Sequence, residues 1–395
     1  MPAAAVLVLA LACGTCGCES SNAESQAFFR GLHSETRPHP ARDRANAPTG
    51  LSAKAAGRNR IELVWKDDFR NERGYIIERS DGREFAEIAR VDADTCSFSD
   101  TRLSPSTTYT YRVRAYNSLG TSDCSNTCSI TTTPLSGPII IDHTCIDLES
   151  IPVYWIKAAR NVLHIAYGHT SHGSQIITGM TGLVSFKGSL YAFQSGSRDG
   201  DALDLRDQPF SGAADLGNPD RTAWARATRS YLERNPEVNV VVWSWCGQAD
   251  TTRENIDLYL SLMERLEEDY PSVAFVYMTG HLNGTGLRGN LHQRNDQIRD
   301  FCTSKGKILY DFEDIESHDP DGTYFGNNFP TDGCDYDSDM NGSRDANWAL
   351  QWQNSHIEGQ DWYHCESAHS KPLNANMKAH AAWWLWARLA GWDGT

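Results

Sequence analysis

The sequence predicts an α/β protein: a three-layer domain built on a parallel sheet, preceded by a smaller all-β sandwich. Two observations predict this division of the 395 residues. Residues 47–135 contain short segments in which apolar and polar residues alternate, which is typical of half-buried strands in a sandwich. Residues 137–395 instead alternate continuous apolar runs with amphipathic helical stretches, which is typical of a parallel sheet covered on both faces.

The charge and composition of the chain narrow the classes of partner. The chain has 36 Lys and Arg residues against 51 Asp and Glu residues, for a formal net charge of −15. Because nucleic-acid binding depends on basic side chains that neutralise phosphates, we expect no nucleic-acid partner. A hydrophobic content of 40% with 22% charged residues is typical of a globular protein.

The first residues are predicted to form an export leader. Residues 1–18 contain a short apolar run that ends in small residues before Cys13, which is typical of a signal peptide. The run is too short for a transmembrane helix, so we expect a secreted or cell-surface protein, with a lipid anchor at Cys13 or free release as alternatives. A mis-assigned start is the competing explanation. The polar residues 19–46 are interpreted as a linker.

The alternating segment at residues 47–135 also has family-specific features. Trp65 lies at the end of its second predicted strand, and the stretch LSPSTTY (103–109) has the pattern of a tyrosine corner that ends in Tyr109. Over its whole length the segment resembles a fibronectin type III domain. The resemblance implies a spacer or a weak binding module, because the fold itself carries no chemistry.

In the second segment, polar residues gather at four predicted strand ends, where open α/β sheets place their sites. Hydroxyl, imidazole and carboxylate groups are the parts of a nucleophilic triad, since the His removes the hydroxyl proton and the carboxylate orients the His. A helix N-cap is the competing explanation for the first of these stretches. The four stretches are GHTSHGSQ (168–175), GQAD (247–250), YMTGHLNGTG (277–286) and CESAHSKPLN (365–374).

The order of these motifs, with the nucleophile early and the acid and His late, resembles the SGNH/GDSL hydrolase superfamily. The resemblance implies Ser171 as nucleophile, His369 as its base and Glu366 as the acid. A strict overlay places Thr170 under the serine of the family, and Ser174 is a further alternative. Ser171 is preferred over Thr170 because the branched carbon of threonine restricts rotation of its hydroxyl.

The same resemblance implies the groups that hold the developing oxyanion and line the pocket. Gly217 matches the glycine of the second family block, and Gln248 stands where the family has an oxyanion Asn. In the acid position, too, the sequence departs from the family, with Glu in place of Asp. The expected oxyanion and pocket residues are Gly217, Gly247, Gln248, His281 and Asn283.

Together these features predict an exported serine esterase that removes acyl groups, expected to be acetyl groups, from carbohydrates through an acyl-enzyme. No cofactor is required for this chemistry. Two alternatives stay open: a non-catalytic cell-surface protein that binds carbohydrate or acts in adhesion, and a polysaccharide lyase that uses a His and a hydroxyl. The close pair His169 and His172 is also compatible with a metal site, although it lacks a neighbouring carboxylate.

A long acidic stretch before the last motif resembles the start of a calcium loop. Carboxylates alternate at Asp337 and Asp339, Asn341 and a glycine follow, and Asp345 comes next, as in a loop that supplies oxygen ligands to calcium. The twelfth position is Trp348 where an EF-hand has Glu, so a structural calcium site and a solvated acidic loop are both open.

The cysteines predict disulfides. Three of the eleven belong to the leader, and the remaining eight can pair evenly in an oxidising compartment. Cys334 and Cys365 bracket the acidic stretch, and a bridge between them would hold Glu366 and His369 in place.

Overall fold

The computed structural model describes residues 44–394 except 57–59, 68–70, 102, 104–106, 134–136 and 198–199. The predicted leader at residues 1–18, with Cys13, and all but the end of the predicted linker lie outside the described residues. In the part that is described, no helix has both the length and the apolar character that crossing a membrane requires.

The first folded segment is a sandwich of two antiparallel sheets. Its strands, in chain order, are β1 (Thr49–Ala55), β2 (Arg60–Lys66), β3 (Gly74–Ser80), β4 (Ala86–Asp92), β5 (Ser97–Thr101), β6 (Thr108–Asn117), β7 (Gly120–Thr121) and β8 (Cys128–Thr131). One sheet has the order β1-β2-β5, and the other has the order β4-β3-β6-β7, with β8 also paired to β6.

The sandwich forms because its strands alternate in polarity. In β2, Ile61, Leu63 and Trp65 are buried, whereas Val64 between them is 52% exposed. Successive side chains of a strand point to opposite faces, so this pattern gives one face to the core and the other to solvent. Trp65 packs edge-on against Tyr75 with ring centroids 5.5 Å apart. The predicted all-β sandwich is confirmed.

The second segment is built on a parallel sheet. Its strands are β9 (Ile139–Ile141), β10 (His164–Gly168), β11 (Phe193–Gln194), β12 (Leu203–Asp207), β13 (Val240–Trp243), β14 (Ala274–Met278) and β15 (Ile308–Tyr310). They lie in the order β11-β12-β10-β13-β14-β15-β9, and every neighbouring pair is parallel. A short antiparallel pair, β16 (Asp335–Tyr336) and β17 (Ala346–Asn347), lies within the acidic stretch.

Helices cover both faces of this sheet. They are α1 (Val153–Val162), α2 (Ser174–Lys187), α3 (Ala223–Leu232), α4 (Arg253–Asp269), α5 (Asn290–Lys305), α6 (Phe312–Ile315), α7 (Trp348–Ser355) and α8 (Pro372–Leu389). Buried residues of α1, α2 and α8 form one core with Ile165 and Tyr167 of β10, and those of α3, α4 and α5 form a second core with Ala166. The predicted α/β architecture with helices on a parallel sheet is therefore observed.

The cysteines differ from the prediction. Among the described residues, Cys334 and Cys365 are free thiols, so the expected bridge between them is wrong. Cys124, Cys128, Cys145, Cys246 and Cys302 are free thiols as well. The thiols of Cys334 and Cys365 have different partners: Cys334 Sγ lies 3.4 Å from Ser370 Oγ, and Cys365 Sγ lies 3.4 Å from Asn376 Nδ2. The prediction used only the number of cysteines, and that number does not show which thiols lie close together.

The end of β10 is packed too tightly for any side chain. A Cβ atom on Gly168 would lie 2.3 Å from the indole ring of Trp243 in the neighbouring strand β13. We expect Gly168→Ala to lower the free energy of unfolding by about 1–3 kcal/mol, because overpacking forces the strands apart. Urea unfolding of the full chain measures this.

Gly247→Ala is the matched control, because a Cβ atom there meets nothing within 4 Å. Its free energy of unfolding should change by no more than about 0.5 kcal/mol. Equal destabilisation by the two substitutions would mean that the contact between Gly168 and Trp243 does not constrain the sheet.

Candidate active site

The candidate site lies beyond the carboxyl ends of β10 and β13. After β10 the chain forms β12, which lies on one side of β10 in the sheet. It then returns and forms β13, which lies on the other side. In doubly wound folds a reversal in strand order marks the crevice where ligands bind, and we call the space beyond these strand ends the crevice. The loop after β10 carries residues 169–173 and leads into α2, while the loop after β13 carries Cys246.

A cysteine, a histidine and an aspartate form a hydrogen-bonded chain in this crevice. The thiol Sγ of Cys246 lies 3.5 Å from Nδ1 of His172, and Nε2 of the same ring lies 2.9 Å from Oδ2 of Asp332. His172 is buried, whereas Cys246 and Asp332 are half-buried. A nucleophile, a base and a carboxylate that orients the base are the parts of a catalytic triad.

The pKa shifts of Cys246, His172 and Asp332 favour opposite charges on neighbouring groups. Burial disfavours the thiolate, yet hydrogen bonds from His172 and Ser171 bring the pKa of Cys246 below its ordinary value. Burial also disfavours a charged His172, but its bonds to Asp332 and Cys246 raise its pKa. For Asp332 the hydrogen bond with His172 outweighs burial and lowers the pKa. The arrangement therefore favours a thiolate, an imidazolium and a carboxylate in a row.

Two further histidines stack on His172. The ring of His281 is parallel to that of His172 at a centroid distance of 3.6 Å, and the ring of His369 stacks at 4.6 Å. Burial lowers the pKa of His281, whereas hydrogen bonds to Asp332 and Cys246 raise that of His172, so His281 loses its proton before His172 does. The strand-end histidines expected from the sequence are thus brought together, in a stack centred on His172.

The hydroxyls of the first loop take three different partners. Ser171 Oγ lies 3.7 Å from the Sγ of Cys246. Thr170 donates a hydrogen bond of 2.8 Å to the buried Asp215, and Ser174 donates one of 2.6 Å to the main-chain carbonyl of Ser171. Of the three candidate nucleophiles, Ser171 is therefore the one in contact with the Cys246–His172–Asp332 chain.

The predicted oxyanion residues surround Asp215. The backbone N–H of Gly217 donates to Asp215 at 2.9 Å, and the side-chain amide of Gln248 lies 3.5 Å from the same carboxylate. The Gln248 carbonyl oxygen in turn accepts the backbone N–H of Cys246 at 3.2 Å. The backbone N–H of Gly247 faces the Cys246 thiolate and helps to lower the pKa of that thiol.

The predicted acid and its histidine, Glu366 and His369, both lie in the loop before α8. Both Glu366 and His369 are exposed, and the hydrogen bonds made by the described residues include none between them. His369 has a backbone φ of 63°, in the left-handed region. The assignment of Glu366 as the acid remains a prediction, and the carboxylate that does orient a histidine in this crevice is Asp332.

Asp332 reaches the site through a contact between two loops. The loop after β14 forms an isolated β-bridge from Asn283 to Thr331, next to Asp332. The Asn283 side chain itself donates to Asp250 at 3.1 Å, so this predicted pocket residue acts through its backbone. Sequence reasoning missed Asp332 because nothing in its local sequence marks it. It passed over Cys246, although this cysteine directly precedes the predicted GQAD stretch.

Among the described residues, three groups of side chains could each hold a metal ion. Each residue offers one ligand atom, and the ligand atoms of a group lie within 4.8 Å of one another. A set of histidines and a carboxylate is one that zinc takes, and the first group belongs to the crevice. The groups are His172, Asp332 and His369; His143, Asp314 and His318; and Asp67, Glu72 and Asp94. His169 and His172, the pair expected from the sequence, bond to different carboxylates. His169 Nε2 lies 2.6 Å from Asp207, whereas His172 pairs with Asp332.

The predicted calcium loop folds around the buried Asp337. Its carboxylate accepts backbone N–H groups of Asn341 at 3.1 Å and Gly342 at 2.7 Å. In the described part of the chain, Asp337, Asp339 and Asp345 are not among the donor groups gathered for a metal ion. Calcium at this loop stays a prediction.

Comparison with known proteins identifies the sandwich. A family model described as fibronectin type III domain matches residues 46–131. These residues form a fibronectin type III domain. No curated protein matches the chain. The resemblance of residues 137–395 to the SGNH/GDSL superfamily stays a prediction.

Solved structures of fibronectin type III domains are similar to about a quarter of the chain. The chicken CNTN1 FN1–FN3 domains are 26% identical over 24% of this chain, with a TM-score of 0.22, and this chain spans only 34% of that one. FN3tt is 26% identical over 23% of this chain and 98% of its own, with a TM-score of 0.21. The fn3 domain of human contactin 1 is 23% identical over 27% and 98%, with a TM-score of 0.23.

The low pKa of the Cys246 thiol makes a measurable prediction. Iodoacetamide reacts with thiolates, so the pH midpoint of alkylation at Cys246 should lie below the ordinary thiol value of about 8.5. In His172→Gln the positive charge is lost while burial remains, so the midpoint should rise above that of wild type. Mass spectrometry of the peptide that contains Cys246 measures both midpoints.

The buried Cys302 is the internal control for this experiment, because burial raises the pKa of its thiol. It should stay unmodified at pH values where Cys246 reacts. A Cys246 midpoint that is unchanged by His172→Gln would contradict the pairing of thiol and imidazole.

Proposed function

We propose that the domain at residues 137–395 is an acyl hydrolase that cleaves esters through a covalent intermediate on Cys246. The observation that carries the proposal is the chain Cys246–His172–Asp332, with contacts of 3.5 and 2.9 Å. A thiolate beside a charged imidazole needs no further activation, because the thiolate is the nucleophilic form of cysteine.

The proposed reaction has two steps, in which His172 first donates and then takes a proton. The thiolate attacks the ester carbonyl and forms a C–S bond, and the C–O bond breaks as the imidazolium gives its Nδ1 proton to the leaving alkoxide. Water then attacks the thioester and gives a proton to His172, which releases the acid and restores the ion pair. Asp332 holds the ring through Nε2 in both steps, and the backbone N–H of Gly247 is positioned to stabilise the oxyanion.

The substrate class is part of the proposal. The sequence-based expectation is a carbohydrate ester outside the cell, and a fibronectin type III module is compatible with a protein that acts at a cell surface. The chain has a net charge of −15, which favours a neutral or cationic substrate over an acidic one.

Ser171 is the alternative nucleophile within the same proposal. Its hydroxyl lies 3.7 Å from the Cys246 thiol, so a substrate carbonyl bound in the crevice would be within reach of either group. The thiol is preferred because its pKa is lowered, whereas a serine hydroxyl needs a base that takes its proton.

A second candidate function is adhesion without turnover. The fibronectin type III domain at residues 46–131 favours it, as do the replaced acid and amide positions, Glu366 and Gln248. In this case the crevice would bind a carbohydrate and release it unchanged.

Hydrolysis of p-nitrophenyl acetate separates these functions. Cys246→Ala and His172→Gln should each lower kcat/KM by at least about 100-fold, because nucleophile and proton transfer are lost. Ser171→Ala should stay within about threefold of wild type, a loss far smaller than that of a removed catalytic base. Ser174→Ala is the matched control, because its hydroxyl bonds to a main-chain carbonyl. After a quenched turnover, mass spectrometry should find an acetyl group on the Cys246 peptide.

The reverse result, in which Ser171→Ala is inactive and Cys246→Ala is active, would make Ser171 the nucleophile and overturn the cysteine mechanism. A wild-type protein that hydrolyses neither this ester nor acetylated polysaccharides would favour adhesion.

A further inference from the structure

A fully buried ion pair lies beneath the candidate site. Lys378 of α8 and Glu316 both have side chains with 0% exposure, and their charged atoms lie 2.5 Å apart. The Lys378 ammonium also donates to the side-chain carbonyl of Gln175 at 2.5 Å and lies 3.7 Å from the ring centroid of Phe312. Burying two charges is costly, and well-packed apolar residues often serve stability as well or better. Stability alone therefore does not account for this pair.

The partners of the pair lead directly to the three stacked histidines. Glu316 accepts the backbone N–H of Leu282, the residue after His281. Gln175 donates to the main-chain carbonyl of Ala368 at 2.5 Å, and Ala368 directly precedes His369.

The third connection runs through the chain itself. Gln175 lies in the first turn of α2, three residues after His172. The ammonium of Lys378 thus joins, through two side chains, the three segments that carry the stacked rings. The sheet does not hold these segments, because two lie beyond the ends of β10 and β14 and the third lies in the loop between α7 and α8.

We propose that Lys378 is a positioning residue, which fixes the stacked histidines so that His172 faces Cys246. Without the ammonium, Glu316 and Gln175 lose their common partner, and the loops of His281 and His369 can move relative to α2. A displacement of about 1 Å at a catalytic group can cost about 100-fold in rate. The mechanistic part of this inference rests on the proposed acyl-transfer function.

The test replaces the ion pair by apolar residues of similar length. In the double variant Lys378→Met and Glu316→Met no charge is left unpaired, so the protein should still fold, with a denaturant midpoint lowered only by the lost hydrogen bonds to Leu282 and Gln175. We expect kcat for p-nitrophenyl acetate to fall about 100-fold. The pH midpoint of Cys246 alkylation should rise toward that of His172→Gln, because the imidazole no longer faces the thiol.

Lys307→Met is the matched control. Lys307 pairs with Glu267. It directly precedes β15, so it lies at the amino ends of the strands, whereas the site lies at their carboxyl ends. Its loss should lower stability and leave both the alkylation midpoint and kcat unchanged. Gln175→Met serves as a second test variant, which keeps the ion pair and removes the bond to Ala368, and it should shift the midpoint in the same direction.

A folded double variant with the wild-type midpoint and kcat would overturn the proposal and leave Lys378 with a structural role only. If the double variant does not fold, a wild-type midpoint in Gln175→Met overturns it. If the wild-type protein hydrolyses no ester but the midpoint shifts in the variants, the positioning role stands and the proposed hydrolase function fails.

Discussion

The structure of the α/β domain depends on the central place of β10 between β12 and β13. The three strands are parallel, so their carboxyl ends lie at the same end of the sheet, and the order in which the chain adds strands reverses beside β10, as at the binding crevice of doubly wound folds. The close approach of Gly168 to Trp243 lets these paired strands lie side by side up to the start of their loops. Their two loops supply His172 and Cys246, so the distance between thiol and imidazole follows from the packing of the two strands.

Charge in the crevice alternates in sign, and this is what makes its burial tolerable. The shifted pKa values of Cys246, His172 and Asp332 all favour alternating charges along their hydrogen-bonded chain, and Lys378 and Glu316 form a second pair. A buried charge is stable only when an opposite charge or a hydrogen-bond donor meets it. A second positive ring stacked on His172 would oppose its charge, and burial shifts the pKa of His281 in the direction that avoids this.

Local sequence patterns predicted the fold, whereas the candidate site is formed by contacts between residues far apart in the sequence. Alternation in β2 and the apolar runs of β10 and β13 are local signals, so the sandwich and the parallel sheet could be predicted. The stretch around Ser171 was also found, because a polar cluster after a buried strand is visible in the sequence. Asp332 lies 160 residues from its partner His172, and no local pattern encodes such a meeting. The predicted bridge between Cys334 and Cys365 failed for the same reason.

The left-handed backbone conformation of His369 lowers the stability of the fold at a residue of the candidate site. A φ of 63° belongs to the region that glycine adopts freely, and holding another residue there costs on the order of 1–3 kcal/mol. The chain keeps an imidazole at a position where glycine would make the fold more stable. Such a loss of stability is typical of positions that serve function, and here it falls on one of the two outer rings of the stack.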